Sequence, residues 1–306
     1  MRRTGSETAL DQHTPQNRPG LAAYLDAWSP VPVIAHDDLS PAPVAALAAV
    51  LDQPSPVGEA DRTLPPLWHW LHFLEWPAHA EVGEDGHPAR GHFLPPVPDR
   101  RRMFAGGRAE FRAPLRAGVN AERLSSLAKV EVKQGRTGEM AFVTVRQEIS
   151  QEGRLCVVDE QDFVYRSGDD ERRRTVSTID PGDAELSEAA WQLALRPEPT
   201  LLFRFSALTA NAHRIHYDAP YAQGVEGYPA LVVHGPLLVL LMLETARREA
   251  PERAVRTVSY RLRKPVFAGE HLRALAEPAA TADGITSLRV ATRRDEQHAT
   301  AEVTFA

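Results

Sequence analysis

The chain has 306 residues, 43% of them hydrophobic and 25% charged, with a net charge of −6. That length can bury one large core or two of about 100–150 residues each, and the charge leaves no electrostatic footprint for nucleic acid. A single cysteine, Cys156, excludes an internal disulfide framework and a cysteine-based zinc site. Its neighbours Leu155, Val157 and Val158 read as a strand, so Cys156 is expected as a small buried hydrophobe. The longest apolar run, 231–243, is broken by His, Gly and Pro and is too short to span a bilayer. The opening MRRTGSETALDQHTPQ lacks the apolar core of a signal peptide. A cytoplasmic protein is the expectation, with neither nucleic acid nor membrane as partner. Basic clusters at 100–102 and 172–174 read as solvated faces, although either has cations enough to meet a phosphate-bearing cofactor.

In chain order, the pattern predicts helices over 21–28 and 43–51. PPLWHWLHFLEW, 65–76, reads as a third helix, started by proline and apolar on most faces. Three strands of an antiparallel meander follow: LSSLAKVEVK, MAFVTVRQEIS and RLCVVDEQDFVYR, with apolar and polar residues alternating between turn signals. Residues 166–199 are rich in Asp, Glu, Arg, Ser and Pro and read as a solvated linker with a short helix near 184–195. A helix over 231–248 is almost uncharged before Glu244 and is therefore expected to be buried. A second meander, LRALAEPAATA, ITSLRVATRRD and HATAEVTFA, completes the pattern.

The same short segment precedes both meanders. Phe111 to Gly118 reads FRAPLRAG and, 151 residues on, Leu262 to Gly269 reads LRKPVFAG, with Arg, Pro, Ala and Gly coinciding. In each copy the proline, Pro114 or Pro265, stands at a strand entrance, where one lost N–H is tolerable. The chain thus reads as α+β, made of two like modules, each a curved antiparallel sheet with a helix in its concavity. Two such sheets can join edge to edge and hide an edge from solvent.

Chemistry concentrates in FSALTANAHRIHYD (205–218) and YPALVVHGPL (228–237). Asn211, His213, Arg214, His216, Tyr217 and Asp218 supply more hydrogen-bonding groups than a plain turn needs. His234, Gly235 and Pro236 then open the buried helix. Histidine titrates near neutral pH, and a glycine-led helix N-terminus presents free backbone N–H groups to an enolate or oxyanion. Together these can handle an activated carbonyl. Taken singly, each histidine is more often a core or surface residue with a satisfied hydrogen bond.

With PPLWHWLHF (65–73), RRMFAGGRAEF (101–111) and EQDFVYR (160–166), these segments resemble the MaoC-like hot-dog hydratases and dehydratases. The likeness is narrower to the double hot-dog branch of type 2 hydroxyacyl-thioester dehydratases and mesaconyl-CoA or itaconyl-CoA hydratases. The resemblance implies a double hot-dog fold. A degenerate, acyl-binding N-terminal module would cover 1–170, a linker 171–198, and a C-terminal module carrying the catalytic motif 199–306. It also implies reversible hydration of the α,β-double bond of a thioester carried by coenzyme A or an acyl-carrier protein, with no metal and no organic cofactor. A homodimer is compatible with it.

In the wider family the motif reads Asp-x-Asn-Pro-x-His. Aligned here, Asn211 stands at the Asp, His213 at the Asn, Arg214 at the Pro and His216 at the His. An amide can orient water but cannot take its proton. Proton transfer is therefore expected of His216, with Asn211 holding the water or β-hydroxyl and the Gly235 N–H donating to the thioester oxygen. His213 has two readings, an orienting neighbour of His216 or a replacement for the missing Asp. Tyr217 and Asp218 are expected to pin the loop. Arg214, Tyr228 and His234 are expected to bind substrate or shape its pocket, with turn packing as the plain alternative. Trp68, Trp70, Phe73 and Trp76 line an acyl tunnel or pack a core. Arg263 or Lys264 meets a CoA phosphate or is a strand-edge charge. Two rival functions stay open: a thioesterase using the same oxyanion donor, and a non-catalytic acyl-thioester-binding module.

Overall fold

The computed structural model describes residues 19–56, 58, 62–98, 100–135, 138–166, 178–182, 187–279, 281, 284–294 and 297–306. The opening residues 1–16, the linker residues 171–177 and 183–186, and with them the basic cluster 172–174, lie outside the described residues. Five helices are described: α1 (Leu21–Leu25), α2 (Pro41–Val50), α3 (Pro199–Leu208), α4 (Ala219–Gly224) and α5 (Gly235–Glu249). The strands of the first half are β1 (Val33–Asp37), β2 (Arg101–Phe111), β3 (Ala121–Gly135), β4 (Gly138–Gln151) and β5 (Arg154–Arg166). Those of the second are β6 (Trp191–Leu195), β7 (Val255–Leu262), β8 (Leu272–Glu277), β9 (Thr286–Thr292) and β10 (Ala299–Phe305). Among the described residues no helix is long and apolar enough to cross a membrane.

All ten strands form one sheet in the order β1-β3-β4-β5-β2-β7-β10-β9-β8-β6, and every neighbouring pair is antiparallel. Read from its two edges the order is the same, β1 to β5 answering β6 to β10. The halves meet at β2 and β7, paired from Gly106↔Arg261 to Glu110↔Thr257. Gly106 and Gly107 allow that seam. A Cβ on Gly106 would lie 2.5 Å from the Tyr260 carbonyl oxygen, and one on Gly107 would run into Glu160 and the Tyr260 ring. Both predicted meanders are present. Their alternation has its physical cause in β9 and β10, where Thr286, Leu288, Val290 and Thr292, and Ala299, Ala301, Val303 and Phe305, are buried on the side of α5 and the residues between them are more exposed. Cys156 is buried in β5 as expected.

The repeated octapeptides follow β2 and β7, and each is sewn to the rest of its half by the same three bonds. Leu64, Ala117 and Gly118 N–H groups donate to Leu115, Arg62 and Leu39 carbonyls, and Val233, Ala268 and Gly269 to Val266, Leu231 and Pro197. Both closing glycines have positive φ, +72° at Gly118 and +91° at Gly269. Only glycine takes that turn without strain, which is why this residue survives in both copies.

That register makes Pro66 the structural counterpart of Gly235, and here the halves part. From Gly235 runs α5, in which every residue from Leu237 to Ala246 is buried and which packs on β6, β8, β9 and β10. Each large aliphatic side chain so buried stabilises the module by about 2 kcal/mol. Glu244, also buried, is held by Arg247 and Arg248. After Pro66 there is instead a 3-10 turn, Trp68–Leu71. The helix predicted over 65–76 is therefore absent, and among the described residues the first half has no long helix in its concavity. The cause is a buried carboxylate. Asp159 accepts from Trp70 Nε1 at 2.8 Å and contacts His69 Nε2 at 3.2 Å. Adjacent residues on an α-helix point about 100° apart and cannot both reach one group.

The segment predicted as a helix near 184–195 is also corrected: Trp191–Leu195 is the edge strand β6, paired with β8. The flanking acidic residues masked its short apolar alternation. The helices predicted over 21–28 and 43–51 are found as α1 and α2.

Candidate active site

The site is assembled where α3, α5 and a loop of the first half converge. After α3 the chain reverses at Ala210, φ +49°. Asn211 then ties the turn, its N–H donating to Ser206 O at 2.9 Å and its Oδ1 accepting from the His213 N–H at 3.0 Å. A 3-10 turn, Arg214–His216, follows, and Asp218 caps α4 by accepting from the Tyr221 N–H at 3.1 Å. Tyr217 donates to Ala212 O at 2.9 Å, so both residues expected to pin the loop do so.

The descent into α5 zips against this turn. Val232 N–H donates to Ile215 O at 2.9 Å, and His216 Nδ1 donates to Val232 O at 2.8 Å. The His216 ring consequently stacks on His234, the residue that starts α5, with centroids 3.8 Å apart. His234 is held in turn by Ser206, Oγ to Nε2, at 2.8 Å. Gly235 sits beneath Leu262 and Phe104, and a Cβ there would collide with the Leu262 side chain. With Pro236 lacking an N–H, the first-turn donors of α5 lie beside these rings and have no partner within the helix.

Burial sets the electrostatics. His216 is pushed down to about 4, chiefly by burial, against the opposing hydrogen bond to Val232. Burial likewise holds His234 well below its ordinary value. His213 falls to about 2, from burial first and then from His87 and His216. At pH 7 these rings are neutral. With Nδ1–H committed to a carbonyl, the lone pair of His216 is on Nε2.

Of the residues singled out in the sequence, His213, His216, His234 and Gly235 come together. Arg214 is turned away to the loop, on Asp218 at 2.8 Å, on the Glu84 carbonyl at 3.1 Å and over the Tyr221 ring. Tyr228 has its ring contact with Phe267, centroids 6.0 Å apart. Trp68 and Phe73 are core residues and Trp76 is exposed, while Trp70 faces Phe104 and Tyr260 across the seam. Arg263 and Lys264 have exposed side chains on the segment that follows β7.

Sequence reasoning missed Asp85 and His87. They lie on the turn VGEDGHP (82–88), whose Asp85-Gly86 step announces a turn, but nothing in the sequence ties it to residue 213. Asp85, His87 and His213 bring three metal-ligand atoms within 4.8 Å of one another. Nδ1 of His87 and Oδ2 of Asp85 are 2.8 Å apart, a hydrogen-bond length. Asp85 and His87 thus form a hydrogen-bonded carboxylate–imidazole pair against the ring of His213.

A symmetric antiparallel sheet of two modules, one wrapped around a buried helix whose start meets a histidine cluster, defines a double hot-dog protein. Solved structures agree: a MaoC-like dehydratase from Phytophthora capsici superposes with a TM-score of 0.65 at 11% identity, over 94% of this chain and 99% of its own. The family model for hydroxyacyl-thioester dehydratase type 2 matches residues 67–268, and the chain belongs to that family. It is 47% identical to mesaconyl-C(4)-CoA hydratase of Chloroflexus aurantiacus over 243 residues, 79% of this chain and 85% of the relative. It is 28% identical over 271 residues to the mitochondrial hydroxyacyl-thioester dehydratase type 2 of Schizosaccharomyces pombe, 79% of this chain and 88% of the relative. The expected class, a hydro-lyase for acyl thioesters, is that of the family.

Proposed function

We propose that this chain adds water reversibly across the α,β-double bond of an acyl-CoA, with His216 as general base and acid and the start of α5 as the oxyanion site. The observation that carries the reading is the fixed tautomer of His216 beside that helix start: Nδ1 is spent on Val232 O, and Nε2 remains as the base. In hydration, Nε2 takes a proton from water as the water oxygen bonds to the β-carbon. Charge then grows on the thioester oxygen, where the Gly235 N–H and the helix dipole stabilise it; one such donor is worth about 3–4 kcal/mol. Asn211 has its carbonyl engaged by the His213 N–H, which leaves its amide N–H groups to hold the water.

The acyl group extends toward the first half, where a 3-10 turn stands in place of a helix. In this reading 1–170 is the acyl-binding module and 199–306 the catalytic one. The relative's name supports an acyl group of the mesaconyl type. A cytoplasmic location and a homodimer belong to the same reading, the dimer being testable by light scattering.

The test is incubation with crotonyl-, mesaconyl- and 3-hydroxyacyl-CoA. Water addition removes enoyl absorbance. Free thiol would identify a thioesterase, and neither change a binding module. His216→Ala is expected to lower kcat by about 10²–10⁴-fold without unfolding the protein; near-full activity of that variant refutes the assignment.

A further inference from the structure

Hydration moves two protons, one off the attacking water and one onto the α-carbon. If His216 handles the first, the 211–218 knot offers no ready group for the second. Asp218 is committed on Oδ2 to Arg214 and on Oδ1 to the Tyr221 N–H, and Asn211 has no proton to exchange. His213 is neutral, and its contacts are ring faces and edges.

The first half brings a carboxylate to the same place. Its turn around residue 85 docks on the knot through the Arg214 N–H to Asp85 O at 2.9 Å and the Arg214 guanidinium to Glu84 O at 3.1 Å. Gly86, with φ +89°, packs so closely on the Ala212 carbonyl that no Cβ fits. Asp85 then spends both oxygens on one residue, Oδ1 on the His87 N–H at 2.9 Å and Oδ2 on His87 Nδ1 at 2.8 Å. The His87 ring lies on His213 with centroids 3.9 Å apart, and His213 meets His216 edge-on at 5.5 Å.

We infer that Asp85 and His87 form the second acid/base group of the site, supplied by the opposite half and working with His216. This inference rests on the hydro-lyase reading above. A carboxylate behind an imidazole fixes its tautomer and stabilises its cation, so His87 is the catalytic residue and Asp85 its positioning residue. Asp85 stays ionised: burial alone would raise its pKa, but the side-chain and backbone hydrogen bonds from His87 take it to about 2. The other charged or titratable groups near the pair are His213, His216, Arg102, Tyr221, and Arg214 with its partner Asp218.

The step balances. His216 Nε2 accepts the water proton while oxygen bonds to the β-carbon and the π pair moves toward the thioester oxygen. The enolate then takes a proton at its α-carbon from Nε2 of cationic His87, whose N–H pair remains on the ring. One proton returns from His216 to His87 through solvent, which reaches the 24%-exposed His87 side chain.

The experiment compares wild type, His87→Gln, Asp85→Asn and Asp85→Glu on the enoyl-CoA that wild type turns over, with melting temperature and metal content measured alongside. His87→Gln is expected to lower kcat about 100-fold with KM within about threefold. Asp85→Asn is expected to lower kcat in the same way with KM little changed, and Asp85→Glu to recover part of the rate. Folded His87→Gln and Asp85→Asn proteins with near-wild-type kcat would overturn the inference. So would a stoichiometric divalent ion in wild type that His87→Gln loses. If His216→Ala is fully active, or wild type adds no water, the underlying reading fails; if those hold and His87→Gln is silent, only this inference fails.

Discussion

Acidification from pH 7 to pH 5 is expected to remove about 2 kcal/mol of folding stability through His216 alone. In the folded chain this ring sits at about 4, and unfolded it returns to its ordinary 6.5. Between those values the unfolded chain binds a proton that the folded chain refuses, so stability falls as pH falls from 6.5 toward 4 and is fully present above that window. At pH 5 the unfolded site is almost wholly protonated and the folded one about a tenth protonated. The ratio of the two binding polynomials is about 30, or about 2 kcal/mol, most of it lost below pH 6.5. Urea unfolding followed by tryptophan fluorescence at the two pH values measures it, in wild type and in His216→Asn. His213, His234 and the carboxylates titrate in both proteins, so the difference between their pH responses isolates residue 216. An equal loss in both would refute the claim that burial holds this ring neutral.

Two substitutions probe the frame around the site. Gly235→Ala drives a methyl into Leu262 and toward Phe104, and is expected to cost about 1–3 kcal/mol by denaturant titration, with kcat/KM falling because the helix start moves. Wild-type stability and kcat/KM in that variant would show that the close approach is not needed. Asp159→Ala strips the acceptor from Trp70 and Gln161, 2.8 and 2.9 Å away in the structure, and opens a cavity under the first-half turn. A loss of about 2–4 kcal/mol is expected in the same titration, and a change under 0.5 kcal/mol would mean that the carboxylate does not hold the turn.

Much of the second half was legible because its signals are local. Uncharged residues on every face of 237–243 can only be buried, so α5 was readable from composition. The repeated Ala-Gly was readable because both copies need a glycine with positive φ at the same turn. The histidines of the site are close in sequence or adjacent to the glycine that starts α5, and that proximity carried them. The first half misled where a distant group overrode local preference: the aromatic run at 65–76 has the composition of a buried helix, but Asp159, about 90 residues on, bends it into a single turn. The edge strand β6 was hidden for a related reason, since a five-residue strand gains its bonds from β8 and carries few of its own signals.

By itself the sequence determined the two-module plan, the antiparallel meanders, the buried helix and the cluster of His213, His216 and His234 at its start. Each depends on spacing along the chain, on side-chain polarity, or on the conformations one residue type can adopt. Tertiary structure alone decided that one module keeps its helix and the other does not, that Arg214 anchors the loop, and that Asp85 and His87 stand beside His213. Apart from the local Arg214–Asp218 pair, those outcomes turn on contacts 89 to 130 residues apart, made to one carboxylate, one carbonyl or one ring face, and no local pattern encodes which contact prevails.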